Sequence, residues 1–194
     1  MAFSMLLLSI ALGATLAAAA GFRAFLPLLA LGLVDHYHLL EPYYSLGPSF
    51  QWLSSESAII CLLAATTFEI IADKIPAVDS ALDSLMTFVR PAAGGVSVFA
   101  ILSSNEPIFG YVAGIVLAGG ATLPIHLGKS MLRLGSHATT GGAGSPVLSV
   151  AEDVSSGLAV ALALLVPFCA IALGFAALAL VVWIWRRRRK IKAT

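Results

Sequence analysis

The sequence is short of charged residues. Only 11% of its 194 residues are Asp, Glu, Lys or Arg, whereas 59% are hydrophobic. A soluble domain usually has about a quarter of its residues charged. Since too few polar side chains remain to cover a water-facing surface, a lipid bilayer is the natural solvent for this chain. At roughly 20 apolar residues per membrane helix, the length allows about five or six spans. We therefore predict an all-α, polytopic transmembrane helical bundle of about six segments.

Other absences exclude several classes of function. Two cysteines cannot supply a disulfide framework, and their spacing is not that of a zinc site. A Walker loop, H-E-x-x-H and G-x-S-x-G are all missing, so ATP-driven transport by this chain alone is not expected and no cofactor is implied. The first apolar run has no Lys or Arg before Arg23, unlike a signal peptide, so we expect it to be a retained helix. Nothing indicates a nucleic-acid partner.

The basic residues are concentrated at the C-terminus. Six of the 11 Lys and Arg residues follow Trp185, which leaves five in the body of the chain against 10 Asp and Glu. Basic residues directly after an apolar helix are typical of a cytoplasmic anchor. We therefore predict one transmembrane domain at 1–185 and a basic cytoplasmic tail at 186–194, in a multi-pass protein of the plasma (inner) membrane. Recognition of an anionic lipid by the tail is the alternative.

Glycine and proline interrupt most of the apolar runs. The first run, 3–34, is broken at Gly21 and Pro27, which indicates either one kinked helix or a span followed by a half-helix. An amphipathic stretch, 78–90, and a short apolar piece, 96–102, indicate a re-entrant pair or one interrupted helix. The remaining expected segments are a surface loop at 35–57, helices at 58–71 and 107–127 (broken at Gly119-Gly120 and Pro124), a loop at 139–144, and helices at 146–166 and 167–185.

Three groups of ionisable residues lie within or beside these runs. A charge at the centre of a membrane helix costs at least about 2.5–3.5 kcal/mol, so each must be compensated. Arg23 stands between Gly21 and Pro27, where a broken helix end could bind an anion or headgroup. The alternative is that Arg23 pairs with a buried carboxylate.

The second group is acidic. Two pairs are spaced i,i+4 and so share a helix face: Glu69 with Asp73, and Asp79 with Asp83. Glu152 and Asp153 supply two more carboxylates late in the chain. Such carboxylates can couple protons or a cation, or can be neutralised by neighbouring Lys and Arg.

The third group is basic. His126, Lys129 and Arg133 form one stripe if their segment is helical, and Arg90 is a further candidate contact for an anion. The alternative for the stripe is a juxtamembrane position facing headgroups. No set of ligands identifies a metal, so any metal site is unknown.

Several motifs together resemble a widespread group of small bacterial membrane proteins classed only as a domain of unknown function. They are Ala20-Gly21-Phe22-Arg23-Ala24-Phe25 with Pro27, Glu69-x3-Asp73-Lys74-Ile75-Pro76-x-Val78-Asp79-Ser80-x2-Asp83, Phe88-Val89-Arg90-Pro91-x-Ala93-Gly94, His126-x2-Lys129-x3-Arg133 and Ser149-x2-Glu152-Asp153. The resemblance covers nearly the whole chain. It implies a polytopic membrane protein and supplies no activity.

Two weaker similarities concern the first broken segment. Gly21, Phe25, Leu26 and Pro27 resemble the re-entrant Glu-Gly-x-x-Glu-Phe-Leu-Pro segment of undecaprenyl-diphosphate phosphatases, but alanines replace both catalytic carboxylates. This favours a phosphate-bearing lipid as ligand and disfavours phosphatase chemistry. The stretch 24–28 also resembles 121–125, which indicates an inverted repeat of the kind found in transporters.

These patterns favour a transporter- or channel-like protein for a small anion or a phosphate-bearing lipid headgroup, coupled to protons or a cation. Membrane lipids and a second copy of the chain are the other expected partners. An assembly factor of a membrane complex and a Mg-dependent membrane-embedded enzyme acting on lipid phosphates are the alternatives.

Overall fold

A computed structural model describes residues 3–41, 44–103, 107–141 and 143–165. The described residues form seven α-helices and two shorter helical segments, with no β-strand among them. The helices are α1 (Phe3–Phe22), α2 (Phe25–His36), α3 (Glu56–Ala72), α4 (Pro76–Leu102), α5 (Pro107–Leu117), α6 (Leu123–Thr140) and α7 (Ser145–Leu165), with a 3₁₀ helix at Pro48–Ser54 and a π-helical segment at Ala118–Thr122. The prediction of an all-α, polytopic helical bundle is confirmed. The expected last span at 167–185 and the basic tail lie outside the described residues.

Large apolar side chains cover much of the surface of the bundle and most charged side chains of its core helices are buried, the reverse of a soluble protein. Phe88, Ile108 and Ile115 are at least 75% exposed, whereas Arg23, Arg90 and Glu69 have no exposed surface. Three helical stretches are long and apolar enough to cross a membrane, or four if the bent pair formed by the 3₁₀ helix and α3 is one span: Leu82–Leu102, Ile108–Thr140 and Ser145–Leu165. The described residues thus form a membrane protein.

Helices α1 and α2 form a helical hairpin whose tip is at Arg23 and Ala24. Gly13 of α1 contacts Val98 of α4, and the loop after α2 donates a hydrogen bond from the Gly47 N–H to the Ala100 carbonyl at 2.8 Å. The beginning of α1 and the end of α2 therefore lie beside the same end of α4. Of the two alternatives for the first apolar run, the break is correct, and the chain reverses direction there.

Helices α2, α4, α6 and α7 and the π-helical segment pack against α1. The side chains of Leu16, Ala17, Ala19 and Ala20 have no exposed surface, so α1 occupies the centre of the bundle. Its small residues allow close packing because the position at which a Cβ of Gly21 would lie is 2.8 Å from the Thr122 carbonyl oxygen. The hairpin tip lies near the level of Arg90, about halfway along the 27 residues of α4.

Two expected helix breaks are wrong. Helix α4 runs without interruption through Pro91, Gly94 and Gly95, so there is neither a re-entrant pair nor an interrupted helix at 78–102. These glycines serve packing instead, since Gly94 lies against the Thr122 side chain and Gly95 faces the Gly114 carbonyl. The segment 107–140 is also continuous, because the π-helical turn accommodates Gly119-Gly120 just before Pro124.

The loop at 35–57 is only partly at the surface. Tyr44, Leu46 and Leu53 are buried in the main apolar core, and the 3₁₀ helix packs its Leu53 carbonyl against Gly32 of α2. Trp52 is exposed, as expected for an interfacial aromatic residue.

Candidate functional site

The break between α1 and α2 leaves backbone N–H and carbonyl groups without intrahelical partners in the middle of an apolar bundle. Glu69 of α3 supplies the acceptors for α2: its Oε1 accepts from the Ala24 N–H at 3.1 Å and its Oε2 from the Phe25 N–H at 3.5 Å. At the end of α1, the Lys129 ammonium donates to the Phe22 carbonyl at 3.4 Å. A carboxylate at a helix N-terminus and a cation at a helix C-terminus both suit the helix dipole.

Arg23 joins the hairpin tip to the C-terminal end of α3 and to α7. One guanidinium nitrogen, Nη1, donates to the Asp73 carboxylate and to the Glu69 carbonyl at 3.4 Å. The other, Nη2, lies 2.5 Å from Asp153 Oδ1 and 3.3 Å from the Ser149 hydroxyl. Burial without a counter-charge would be costly, so these carboxylates compensate the guanidinium.

Asp73 is the acceptor shared by most of the cations. It follows the last residue of α3, and its Oδ2 accepts from Arg23, from Lys129 at 3.3 Å and from Arg133 at 3.2 Å. One carboxylate thus binds three cationic side chains, two from α6 and one from the hairpin tip. Its removal would leave three buried cations short of a partner.

Arg90 and His126 form the second part of the network. Arg90 Nη2 contacts Glu69 Oε1 and its Nη1 contacts Asp83 Oδ1, both at 3.4 Å. Nη1 also lies 2.6 Å from His126 Nδ1. Because a guanidinium only donates, His126 Nδ1 accepts, and the neutral ring donates from Nε2 to the Thr87 hydroxyl at 3.0 Å.

The basic stripe of α6 faces the interior rather than the headgroups. His126, Lys129 and Arg133 are the buried residues of that helix, as helical spacing predicts for one face. Lys129 Nζ and Arg133 Nη2 bind the same oxygen of Glu152, at 2.8 and 2.6 Å. One carboxylate of α7 therefore neutralises two cations of α6.

Two cavities reach this part of the network. The first, of about 270 Å³, lies between α4 and α6 and is called here the α4–α6 cleft. Its polar lining consists of Asp83, Ser84, Thr87, Ser130, Arg133 and His137. The second, of about 180 Å³, lies between α6 and α7 at the end of α1 and is lined by Lys129 and Glu152 among apolar residues. Arg23 and Glu69 line neither of them.

The structure brings together ten of the eleven site residues that the sequence indicates. Arg23, Glu69 and Asp73 lie at the hairpin tip, and the others surround them: Arg90, Asp83, His126, Lys129, Arg133, Glu152 and Asp153. The side chain of Asp79 lies outside the described residues. Lys74 joins the network through Asp153 at 2.9 Å. No group of three or more His, Cys, Asp or Glu that could hold a metal occurs in the part of the chain described.

The hydroxyl groups of the site were not singled out from the sequence. Ser149 contacts Arg23, and Ser130 donates to Asp83 Oδ2 at 3.0 Å. Ser149 does belong to the motif that contains Glu152, but Ser130, Thr87 and Ser84 carry no signal, since such residues are common in membrane helices. Gly21, just before the first stretch of the expected repeat, contacts Ile125 of the second stretch, and the repeat itself stays a prediction.

Comparison with known proteins identifies the family but no relative of known activity. No curated protein and no solved structure matches the chain. The family described as Domain of unknown function (DUF4126) matches residues 10–187, nearly the whole chain. The chain therefore belongs to the DUF4126 family, a family of unknown function, in which it is an all-helical membrane protein built around a buried ion-pair network.

Proposed function

We propose that this membrane protein is a carrier or channel for a small anion or a phosphate-bearing lipid headgroup. The observation that supports the proposal best is the position of the two cavities. The α4–α6 cleft reaches Arg133, and the cavity between α6 and α7 reaches Lys129 and Glu152. Glu152 binds both Lys129 and Arg133, so one cluster of ion pairs lines both cavities.

The shared carboxylate suggests how an anion is handled. Glu152 Oε2 lies between two cations, so an anion of similar size can take its place only if the carboxylate moves away or loses its charge. Protonation of Glu152 would remove the negative charge and release Lys129 and Arg133 to bind the solute. This exchange couples one proton to one anion and assigns the coupling role to Glu152.

Flux measurements test the proposal. The purified protein is reconstituted into liposomes, and the uptake of radioactive phosphate and the flip rate of a fluorescent phospholipid are measured at several pH values. We expect one of the two activities in the wild type, and a decrease of about tenfold or more in Arg133→Gln, since a charge-assisted contact contributes about 1.5–3 kcal/mol. In Glu152→Gln, we expect the dependence of the rate on pH to disappear.

Met131→Ala is the matched control, because Met131 lies on the same helix and is 71% exposed. Its rates should equal those of the wild type. Size-exclusion chromatography of each variant separates loss of activity from loss of fold. The proposal would be contradicted if liposomes that contain the wild-type protein show neither activity, or if Arg133→Gln leaves the rates unchanged.

A second candidate is an assembly factor of a membrane complex. It is favoured by the hairpin tip, where Glu69 already occupies the helix N-terminus that an external anion would use and where Arg23 is paired with Asp73 and Asp153. Recovery of a stoichiometric membrane partner after mild solubilisation would support this alternative. A magnesium enzyme has less support, because Asp73 is bound by three cations rather than left open for a metal.

A further inference from the structure

The lining of the α4–α6 cleft contains side chains of both signs. Asp83 of α4 is held by the Ser130 hydroxyl at 3.0 Å and by Arg90 at 3.4 Å, and a fifth of its side chain remains exposed. Arg133 of α6 lines the same cleft while it binds Asp73 and Glu152. Hydroxyl groups of Ser84, Thr87 and Ser130 also line it.

The cleft opens among side chains that face the lipid. Phe88 of α4 and Leu134 of α6 are both more than half exposed. Leu134 lines the cleft, and Phe88 follows the lining residue Thr87 in the chain. A volume of about 270 Å³ is at the low end for ligand pockets and suits a headgroup without its acyl chains. The chains of a lipid would instead lie along the exposed apolar side chains.

From this arrangement we infer that the α4–α6 cleft binds a zwitterionic headgroup that carries both a phosphate and a primary ammonium. The phosphate lies at Arg133 and the hydroxyl groups, and the ammonium donates to Asp83. A headgroup with a phosphate alone would bring a second negative charge close to Asp83 and would carry no ammonium to offset it. The inference rests on the proposed function and narrows its solute to lipids of the ethanolamine class.

The test compares two lipids that differ only in the headgroup. Delipidated protein is incubated with phosphatidylethanolamine or phosphatidylglycerol of identical acyl chains, and bound lipid is counted by native mass spectrometry. We expect the ethanolamine lipid to bind more tightly by about fivefold, the factor expected for one partly desolvated ammonium–carboxylate pair. Asp83→Asn should abolish this preference.

A matched pair of tryptophan substitutions locates the bound lipid. Ser84 lines the cleft and Leu85 is its exposed neighbour outside it, so Ser84→Trp should reduce ethanolamine-lipid binding severalfold and Leu85→Trp should not. Soluble phosphoethanolamine should compete with the lipid better than inorganic phosphate does at the same concentration, because it presents both charges. Such competition shows that the headgroup itself is the recognised part of the lipid.

The results that would contradict this inference differ from those that would contradict the proposed function. A preference for phosphatidylglycerol that Asp83→Asn leaves unchanged overturns the zwitterionic headgroup, while the proposed handling of phosphate-bearing lipids stands. Equal competition by inorganic phosphate also overturns it. If neither lipid binds above the level of Ser84→Trp and the liposomes transport nothing, both the inference and the proposed function fail.

Discussion

Glu69 of α3 closes the N-terminus of α2, with its Oε1 3.1 Å from the Ala24 nitrogen. The same oxygen is the counter-charge of Arg90 at 3.4 Å. One carboxylate therefore satisfies backbone donors and a buried guanidinium at once, at a depth where water cannot replace it.

Replacement of Glu69 by Gln should destabilise the protein strongly. The amide retains one acceptor for the backbone but leaves Arg90 without the Glu69 charge, and breaking a buried pair from one side costs about 3–5 kcal/mol. The measurement is the free energy of unfolding in detergent micelles. Glu56→Gln is the control, since Glu56 is exposed at the first turn of the same helix and should change stability by about 0.5 kcal/mol or less. Equal effects of the two substitutions would show that the Glu69 contacts do not hold the tip.

The two aspartates that bind Arg23 should differ in importance. Asp73 is buried and binds three cations, whereas a quarter of the Asp153 side chain is exposed and it binds Arg23 and Lys74. We expect Asp73→Asn to lower the unfolding temperature more than Asp153→Asn, because solvent compensates part of the second loss. The unfolding temperatures of both variants show which substitution destabilises the protein more. A larger decrease for Asp153→Asn would contradict the role of Asp73 as the acceptor shared by three cations.

Gly94 should tolerate no side chain. A Cβ there would overlap the Thr122 side chain, whose hydroxyl donates to the Ala17 carbonyl at 2.7 Å and joins α1 to the π-helical segment. Overpacking of this kind costs about 1–3 kcal/mol, so Gly94→Ala should unfold at a lower temperature. Gly135→Ala on α6 is the matched control, because open space surrounds that position and alanine favours a helix. A Gly94→Ala variant as stable as the wild type would show that these helices can separate without loss.

Water should enter the α4–α6 cleft but not the contact between α1 and α4. In a background in which Cys61 and Cys169 are replaced by Ser, Ser84→Cys should react with a membrane-impermeant thiol reagent. Ser97→Cys should not react, since Ser97 of the same helix has no exposed surface. Labelling is read by mass spectrometry before and after unfolding. The protein is delipidated first, and failure of Ser84→Cys to react in the folded, delipidated protein would mean that water does not reach the cleft.

Sequence alone predicts which residues form the site because charge is so costly in a bilayer. Arg23, Glu69 and His126 are identifiable from their apolar neighbours, and helical spacing correctly assigns Glu69 with Asp73 to one face. The pairing of these charges is a long-range property, since Arg23 meets Asp73 from 50 positions away. No local pattern distinguishes internal ion pairs from a ligand site.

The helix breaks show the same limit. From the sequence alone, without tertiary contacts, glycines within a helical pattern such as Gly94 and Gly95 suggest a helix break. Tertiary packing reverses that expectation, because the missing side chains let α4 approach Thr122 and Gly114 while the helix stays intact. At Gly21 and Pro27 the break is real, and there Glu69 and Lys129 are available to satisfy the exposed backbone groups.

The central hairpin has a consequence for biogenesis. Helices α1 and α2 leave the ribosome first, yet the groups that neutralise Arg23 are on α7 and just after α3, up to 130 positions later in the chain. Until those segments are made, the hairpin would carry an uncompensated guanidinium into the bilayer. Helices α1 and α2 therefore reach their final depth only after later segments are made, and truncation before α7 removes the Asp153 partner of Arg23.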